Sequence, residues 1–250
     1  MKTGVKVVLG VTVMVAAAIG GEFAYLHHRD VVDKTIVPAA AGYKMSQDDE
    51  VMMTLKHEHP MLLQDEKDLK GRSLWMSAGG QMDYFPYAGK VDYAHSAGVL
   101  LGAEKILVKD AVEAVAPKSS AATFRIPPGD KQVLLVFTLP DDAANPTKEY
   151  AVPVGFKENG DYTFSTDGMF FYDDPHKLFS YWGPEIWKAI DEHRAILGMS
   201  ETQVQMALGQ VSVPHGDKIG DRMVEFPGQD KPEMITFEGG KATKIVDEKK

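Results

Sequence analysis

Short apolar runs separated by turn residues dominate the middle of the chain. Seven runs within residues 72–173 are bounded by Gly, Pro, Asp or Asn clusters, which is typical of strands, and they cover residues 73–77, 82–87, 105–115, 122–126, 132–139, 149–156 and 162–165. The run 133–137 is apolar at every position, as expected for a strand that is covered on both faces. Asn159 and Gly160 predict a tight hairpin between the last two strands. The repetition predicts an antiparallel sandwich or small barrel.

From residue 174 onwards the pattern predicts short helices followed by a small sheet. Asp174-Pro175 and Gly183-Pro184 are typical helix starts, and the second helix is predicted to run toward residue 197. Ser200 and Gln203 have the spacing of a capping box for a further helix of two to three turns. Strands are then predicted over residues 223–226, 233–237 and 242–245, with a turn at 238–241. This part therefore predicts helices packed on a small antiparallel sheet.

Residues 196–245 also resemble a known family. The order Gly-Met-Ser-x-x-x-Val-x-x-x-Leu-Gly, an aromatic strand, and then Ile-Thr-Phe-Glu-Gly-Gly-Lys-Ala is similar to the SmpA/OmlA (BamE-like) domain family. The matching positions are Gly198, Met199, Val204, Leu208, Gly209, Phe226, Phe237, Gly240 and Lys241. The resemblance implies an envelope protein or an inhibitor-like binding module, without catalytic residues to carry over. The chain has no Cys, so it lacks the lipobox cysteine through which such lipoproteins are anchored.

The beginning of the chain predicts a membrane segment. Lys2 and Lys6 precede an uncharged apolar run over residues 7–21, which is typical of an export signal, and residues 7–26 approach the length that spans a bilayer. We interpret the segment as a single-pass signal anchor in the inner (cytoplasmic) membrane, with the body outside the cytoplasm. The alternative is a signal peptide cleaved near residues 18–20, with the protein secreted to the periplasm.

Composition limits the remaining possibilities. A chain of 250 residues with 44% hydrophobic content can bury a substantial core. The net charge of -9 and the pI near 5.4 argue against nucleic acid as a partner. The absence of Cys excludes disulfides and thiolate nucleophiles. We expect an α+β fold divided into residues 1–29 (membrane segment), 30–71 (linker and short helix), 72–173 (β-rich domain) and 174–250 (helices on a small sheet).

The residues most suited to metal binding are His57 and His59, which follow a helix that Ser46 and Asp49 are predicted to cap. The His57–His59 spacing has no third ligand nearby and differs from the zinc-protease signature, while Pro60 favours a helix end there. A solvated helix end explains the pair without a metal, so no metal or cofactor is expected.

Two further groups of residues suggest a site. An acid–base or metal centre is one interpretation of the acidic and histidine residues near the helices, although helix caps and solvated faces also explain them; they are Asp173, Asp174, His176, Asp191, Glu192 and His193. An aromatic group is interpreted either as a recognition surface or as core, and it comprises Tyr84, Phe85, Tyr87 and Tyr93.

These observations predict a non-enzymatic, membrane-tethered envelope protein that acts as an interaction or assembly module with other envelope proteins. One alternative is an exported metal-dependent hydrolase that uses His57 and His59 together with acidic groups brought in by folding. Another is an inhibitor or small-ligand binder with a concave sheet face rich in aromatic residues.

Overall fold

The computed structural model describes residues 45–77, 79, 82–115, 131–227 and 232–247. The chain divides after Glu50 into two units, and the first is described only over residues 45–50. Those residues begin helix α1 (Gln47–Met53), where the backbone N–H of Asp49 donates to Ser46 Oγ at 3.1 Å, as the capping spacing predicted. The second unit begins at Val51 and contains the remaining described residues.

A single antiparallel sheet of eight strands forms the larger part of this unit. Its strands are β1 (Ser73–Met76), β2 (Asp83–Pro86), β3 (Gly98–Val99), β4 (Lys105–Val115), β5 (Lys131–Thr138), β6 (Glu149–Glu158), β7 (Asp161–Phe164) and β8 (Phe170–Phe171). The order is β3-β2-β6-β5-β4-β1-β8, and β7 also pairs with β6. The predicted core run Val133–Phe137 is confirmed, since these residues are at most 1% exposed. The hairpin at Asn159-Gly160 is confirmed too, because both residues have positive φ and Glu158 pairs with Asp161.

The predicted fold class is wrong. Among the described residues strand outweighs helix, 37% against 22%, so this part of the protein is mostly β rather than α+β. Residues 72–173 form neither a sandwich nor a closed barrel, because their strands belong to one sheet curled into a half-barrel. Register shifts in the β4–β5 and β5–β6 pairs mark bulges, which bend a sheet. Side chains from loops and short helices, rather than a second sheet, fill the inner face; they include Leu69, Leu100, Met169 and Tyr172.

The predicted helix starts are observed, but the helix predicted to run from Pro184 toward residue 197 ends at Asp191. In the second unit the helices are α2 (Leu63–Lys67), α3 (Thr166–Met169), α4 (Pro175–Leu178), α5 (Pro184–Asp191) and α6 (Glu201–Leu208), with a 3-10 turn at Ser180–Trp182. The predicted membrane segment 7–26 and the predicted strand 122–126 lie outside the described residues. Within the described ranges, every helix is too short or too polar to cross a membrane.

A second antiparallel sheet follows helices α5 and α6. It has the order β12-β11-β10-β9 and contains β9 (Val213–His215), β10 (Met223–Phe226), β11 (Glu233–Glu238) and β12 (Lys241–Asp247). One apolar core joins this sheet to the helices and to the aromatic residues before them, and its members include Phe179, Trp182, Trp187, Val204, Phe226 and Phe237. The turn at Gly239-Gly240 has positive φ at both residues, which is the geometry of a two-residue hairpin.

Three backbone segments approach closely where the large sheet meets α6. A Cβ added to Gly102 would lie 2.0 Å from the carbonyl oxygen of Met206, and one added to Gly79 would lie 2.2 Å from the Gly102 nitrogen. The Gln210 N–H donates to the Gly79 carbonyl at 2.9 Å and closes this arrangement. We call it the glycine contact. It requires glycine at both positions because no side chain fits between the backbones.

The capping box predicted for α6 is confirmed, and its contribution to the free energy of unfolding can be measured. Ser200 Oγ accepts from the Gln203 N–H at 3.2 Å, and Gln203 Oε1 accepts from the Ser200 N–H at 2.8 Å. Ser200→Ala leaves one N–H of the first turn without its partner, so we expect a loss of about 1 kcal/mol in the free energy of unfolding. Urea denaturation measures this. Ser180→Ala, at an exposed serine without a capping role, is the control, and equal losses in both variants would contradict the assignment.

Candidate functional site

A cleft of about 400 Å³ opens between the end of α1 with the segment that follows it, the segment around β8, and α6. We call it the apolar cleft. Its apolar lining consists of Met52, Leu55, Phe170, Phe171, Leu178, Phe179 and Met206. Its polar lining includes Lys56, His57, Ser77, Asp167, Tyr172, Asp173, Thr202, Gln205 and Gln210. A volume of this size lies within the range of pockets that hold small ligands.

The floor of the cleft is fixed by strand β8. Because β8 pairs with β1 and successive strand residues point to opposite faces, Phe170 enters the core of the large sheet and Phe171 the core of the second sheet. The Phe171 ring meets Phe179 edge to face, with ring centroids 6.0 Å apart. Met206 of α6 completes this floor and is 6% exposed. The floor is therefore buried and shared by both apolar cores.

The rim of the cleft carries one exposed methionine, Met52, at the end of α1. Leu55 packs against the second core, whereas Met52 is 48% exposed and Met53 is 74% exposed. Met61 and Leu62, further along the same segment, are also exposed. Methionine has three rotatable bonds and a polarisable sulfur, so it adapts to partners of different shape. The rim thus places one adaptable apolar side chain, that of Met52, beside a buried and largely aromatic floor, whereas Met53, Met61 and Leu62 lie outside the cleft lining.

Asp167 of α3 ties the segment after α1 to the cleft. Its Oδ1 accepts from the Glu58 N–H at 3.0 Å and from the Tyr172 hydroxyl at 2.7 Å, and its Oδ2 accepts from the His59 N–H at 2.9 Å. Burial opposes ionisation, but these hydrogen bonds outweigh it and hold the pKa of Asp167 below its usual value. The carboxylate therefore acts as an anchor for the loop.

Asp167 is also the group that folding brings to His57 and His59. Their Nδ1 atoms lie 3.9 and 3.7 Å from Asp167 Oδ2, and the two rings stack with centroids 5.7 Å apart. Since α1 ends at Met53, the pair lies in a loop, where His59 has a φ of 49°. In the part of the chain that the structure describes, no group of three or more His, Asp or Glu side chains is arranged to hold a metal ion.

The predicted acidic and histidine residues are partly brought together. His176 Nδ1 lies 3.1 Å from Asp174 Oδ1, its Nε2 lies 3.0 Å from Asp191 Oδ1, and its ring packs on Trp187 at 4.1 Å between centroids. Asp174 also caps α4, as predicted, by accepting from the His176 N–H at 3.0 Å. This cluster joins α4 to α5 and borders a second, polar cavity of about 510 Å³.

The other members of that group have separate roles. Asp173 lines the apolar cleft, and Glu192 pairs with Arg194 at 2.6 Å. His193 lines the polar cavity, where burial lowers its pKa. The six residues therefore do not form one centre.

The aromatic residues singled out in the sequence lie on both faces of the large sheet. Tyr84 packs edge to face against Tyr150 in the inner core, with ring centroids 5.0 Å apart. Phe85 and Tyr87 belong to a small cluster on the opposite face, together with Tyr93, whose hydroxyl donates to Gln132 Oε1 at 2.6 Å. Burial raises the pKa of Tyr84 and of Tyr93 to about 12. None of the four lines the apolar cleft.

Several residues of the apolar cleft carried no signal in the sequence. Neither Met52 nor Asp167 belongs to a motif that the sequence marks. Asp167 acts on residues more than 100 positions earlier in the chain, so no local pattern marks it. Thr202 and Gln205 look like ordinary polar positions of a helix, and only the packing of α6 turns them toward the cleft.

The residues that carry the family resemblance have structural roles. Met199, Val204, Phe226 and Phe237 are buried, and Leu208 packs against the same core. Gly198, Gly209 and Gly240 have positive φ, and Lys241 is the exposed first residue of β12. They do not contribute to the lining of the apolar cleft.

Fold and site together define a mostly β protein that carries an apolar cleft with the exposed Met52 at its rim. No family model matches the chain, and neither a curated protein nor a solved structure matches it.

Proposed function

We propose that this protein is a non-enzymatic binding module of the cell envelope that holds a partner protein at the apolar cleft. The observation that carries the proposal is the half-exposed Met52 beside a buried floor of Phe171, Phe179 and Met206. Exposed apolar side chains next to a preformed pocket are typical of interaction sites, in which a few buried anchors supply most of the binding free energy. The partner accordingly inserts one or two apolar side chains.

The location in the envelope rests on the sequence. The basic start and the apolar run 7–26 support a tether in the inner membrane, with the body outside the cytoplasm. The resemblance of residues 196–245 to the SmpA/OmlA domain family supports other envelope proteins as partners. Tethering also favours binding, because it confines both proteins to the same surface and raises their effective concentration.

Site-specific photo-crosslinking of the full-length protein in cells tests the proposal. We expect one partner protein to crosslink from a photoreactive residue at Met52 and also at Gln205, since both line the cleft. A photoreactive residue at Glu158, at the exposed end of β6, should not capture that protein. We expect the crosslinked complex to be found in the membrane fraction.

A matched pair of variants tests the same site by affinity. Met52→Asp places a charge at the rim, so we expect the partner to bind at least about tenfold more weakly. Met61→Asp changes an equally apolar and more exposed methionine outside the cleft lining and should leave the affinity unchanged. Recovery of the protein as a lone monomer from gently solubilised membranes, or equal effects of the two variants, would refute the proposal.

A further inference from the structure

Glu66 is a carboxyl group buried without a full set of partners. It lies on α2 and is 0% exposed. Thr166 of α3 donates a hydrogen bond to its Oε1, while its Oε2 is buried with no hydrogen-bond partner. A buried carboxylate needs several donors, whereas the neutral acid needs fewer. The surroundings of Glu66 therefore suit the protonated form.

The charges around Glu66 act in the same direction. Asp167 faces it from α3, and Asp65 lies beside it on α2. Asp65 accepts from the N–H groups of Met61 and Leu62, which hold its pKa below the usual value and keep it charged. Burial is the main cause that raises the pKa of Glu66 to about 7, and the two aspartates add to it against the Thr166 hydrogen bond.

The remaining ionisable groups offer no compensation. The small cavity next to Glu66 is also lined by four ionisable residues, Glu58, Asp68, Arg72 and Tyr172. Among the described residues, strand β4 contributes no ionisable residue to this lining. Arg72 is engaged elsewhere, since its Nη1 lies 2.8 Å from Glu58 Oε1 and its guanidinium lies 5.3 Å from the Tyr172 ring centroid. Ionised Glu66 would thus meet mostly negative charge.

The position of Glu66 connects it to the apolar cleft. Thr166, its partner, directly precedes Asp167, the residue that anchors Glu58 and His59 and lines the cleft. We infer that Glu66 is a proton-dependent latch: while neutral it holds α2 to Thr166 of α3 and keeps the loop of residues 57–60 against Asp167, and on ionising it loosens this wall of the cleft. The inference rests on the proposed function only in treating the cleft as the partner site.

The direction of the pH effect follows from the raised pKa. Glu66 binds its proton more tightly in the closed state than when α2 opens and the side chain meets water. The stabilisation is therefore complete below the ordinary pKa of 4.5 and is lost as the pH rises through about 7. Acid conditions close the latch, and alkaline conditions open it.

Hydrogen exchange on the full-length protein tests the latch without any partner. Between pH 5.5 and pH 8, after correction for intrinsic exchange rates, we expect the protection of residues 57–72 to fall roughly 25-fold by proton linkage. Protection of β5 should stay constant. Glu66→Gln, which cannot ionise, should abolish the dependence, whereas Glu158→Gln at an exposed position should retain it. Identical pH dependence in wild type and Glu66→Gln would overturn the inference.

Two further measurements separate the outcomes. Carbon-13 NMR of the Glu66 carboxyl in the wild-type protein needs no variant to fold, and a titration midpoint near 4.5 would overturn the latch. Crosslinking from Met52 at both pH values tests the link to the cleft, and we expect a lower yield at pH 8 in wild type but not in Glu66→Gln. If hydrogen exchange shows the expected pH dependence but no partner crosslinks at either pH, the proposed function alone is refuted. If the crosslinking yield does not change with pH, the connection between Glu66 and the apolar cleft is refuted.

Discussion

Gly102→Ala is expected to destabilise the protein by at least about 3 kcal/mol, the upper part of the range for overpacked sites. The added methyl group would lie 2.0 Å from the Met206 carbonyl oxygen and 2.9 Å from its carbonyl carbon. These are backbone atoms of α6, so no rotation of a side chain relieves the clash. Gln210, bonded to Gly79, prevents the end of α6 from moving away without further loss. Urea denaturation followed by circular dichroism measures the effect.

The chain offers a matched control for this substitution. Gly168 lies in α3, and a Cβ added there would meet no atom within 4 Å. Gly168→Ala should therefore change the free energy of unfolding by no more than about 1 kcal/mol, and in the stabilising direction. If both variants unfold at the same urea concentration, the glycine contact does not hold the large sheet to α6.

Removal of Arg222 is expected to cost about 3 kcal/mol, because it leaves a carboxylate buried without its counter-charge. Glu201 is 7% exposed, and its two oxygens face the guanidinium, with Arg222 Nη2 bonded to Oε1 and Nε 3.3 Å from Oε2. The Gly220 N–H, at 3.4 Å, is the other donor to this carboxylate. We expect Arg222→Met to show the loss in urea denaturation.

The paired substitution distinguishes a buried charge from lost packing. Glu201→Leu combined with Arg222→Met removes both charges and should recover at least about half of the single-variant loss, since apolar replacements of buried ion pairs are often neutral. A double-mutant cycle measures the coupling. Strictly additive losses would mean that the two side chains stabilise the fold independently. Lys188→Met, at an exposed helix position, is the control for removing a cation.

Features that depend on a few neighbouring residues could be predicted from the sequence. Asn159-Gly160 forms the predicted hairpin, and Ser200 with Gln203 forms the predicted capping box, because each is encoded within four residues. The all-apolar run Val133–Phe137 predicted a strand covered on both faces, and its residues are buried. Each of these predictions needed only local geometry and one consistent apolar pattern.

Features that depend on pairing between strands far apart in the sequence could not be predicted. The half-barrel requires β2 to join β6, with Phe85 opposite Ala151, and no periodicity within either strand specifies that partner. The predicted sandwich or small barrel was wrong for this reason. The candidate site needs the same long-range information, because its lining comes from three stretches around Met52, Phe171 and Met206.

The glycine contact also sets an order of assembly. The large sheet is built from residues 73–171, whereas the contact joins Gly79 and Gly102 to residues 206–210, so it closes only after the later part of the chain has folded. Contacts of such wide sequence separation form late and slowly. The apolar cleft depends on the same helix and is therefore completed last. During synthesis the strands of the large sheet can therefore pair before residues 201–210 are available, and the apolar cleft forms only when α6 docks on that sheet.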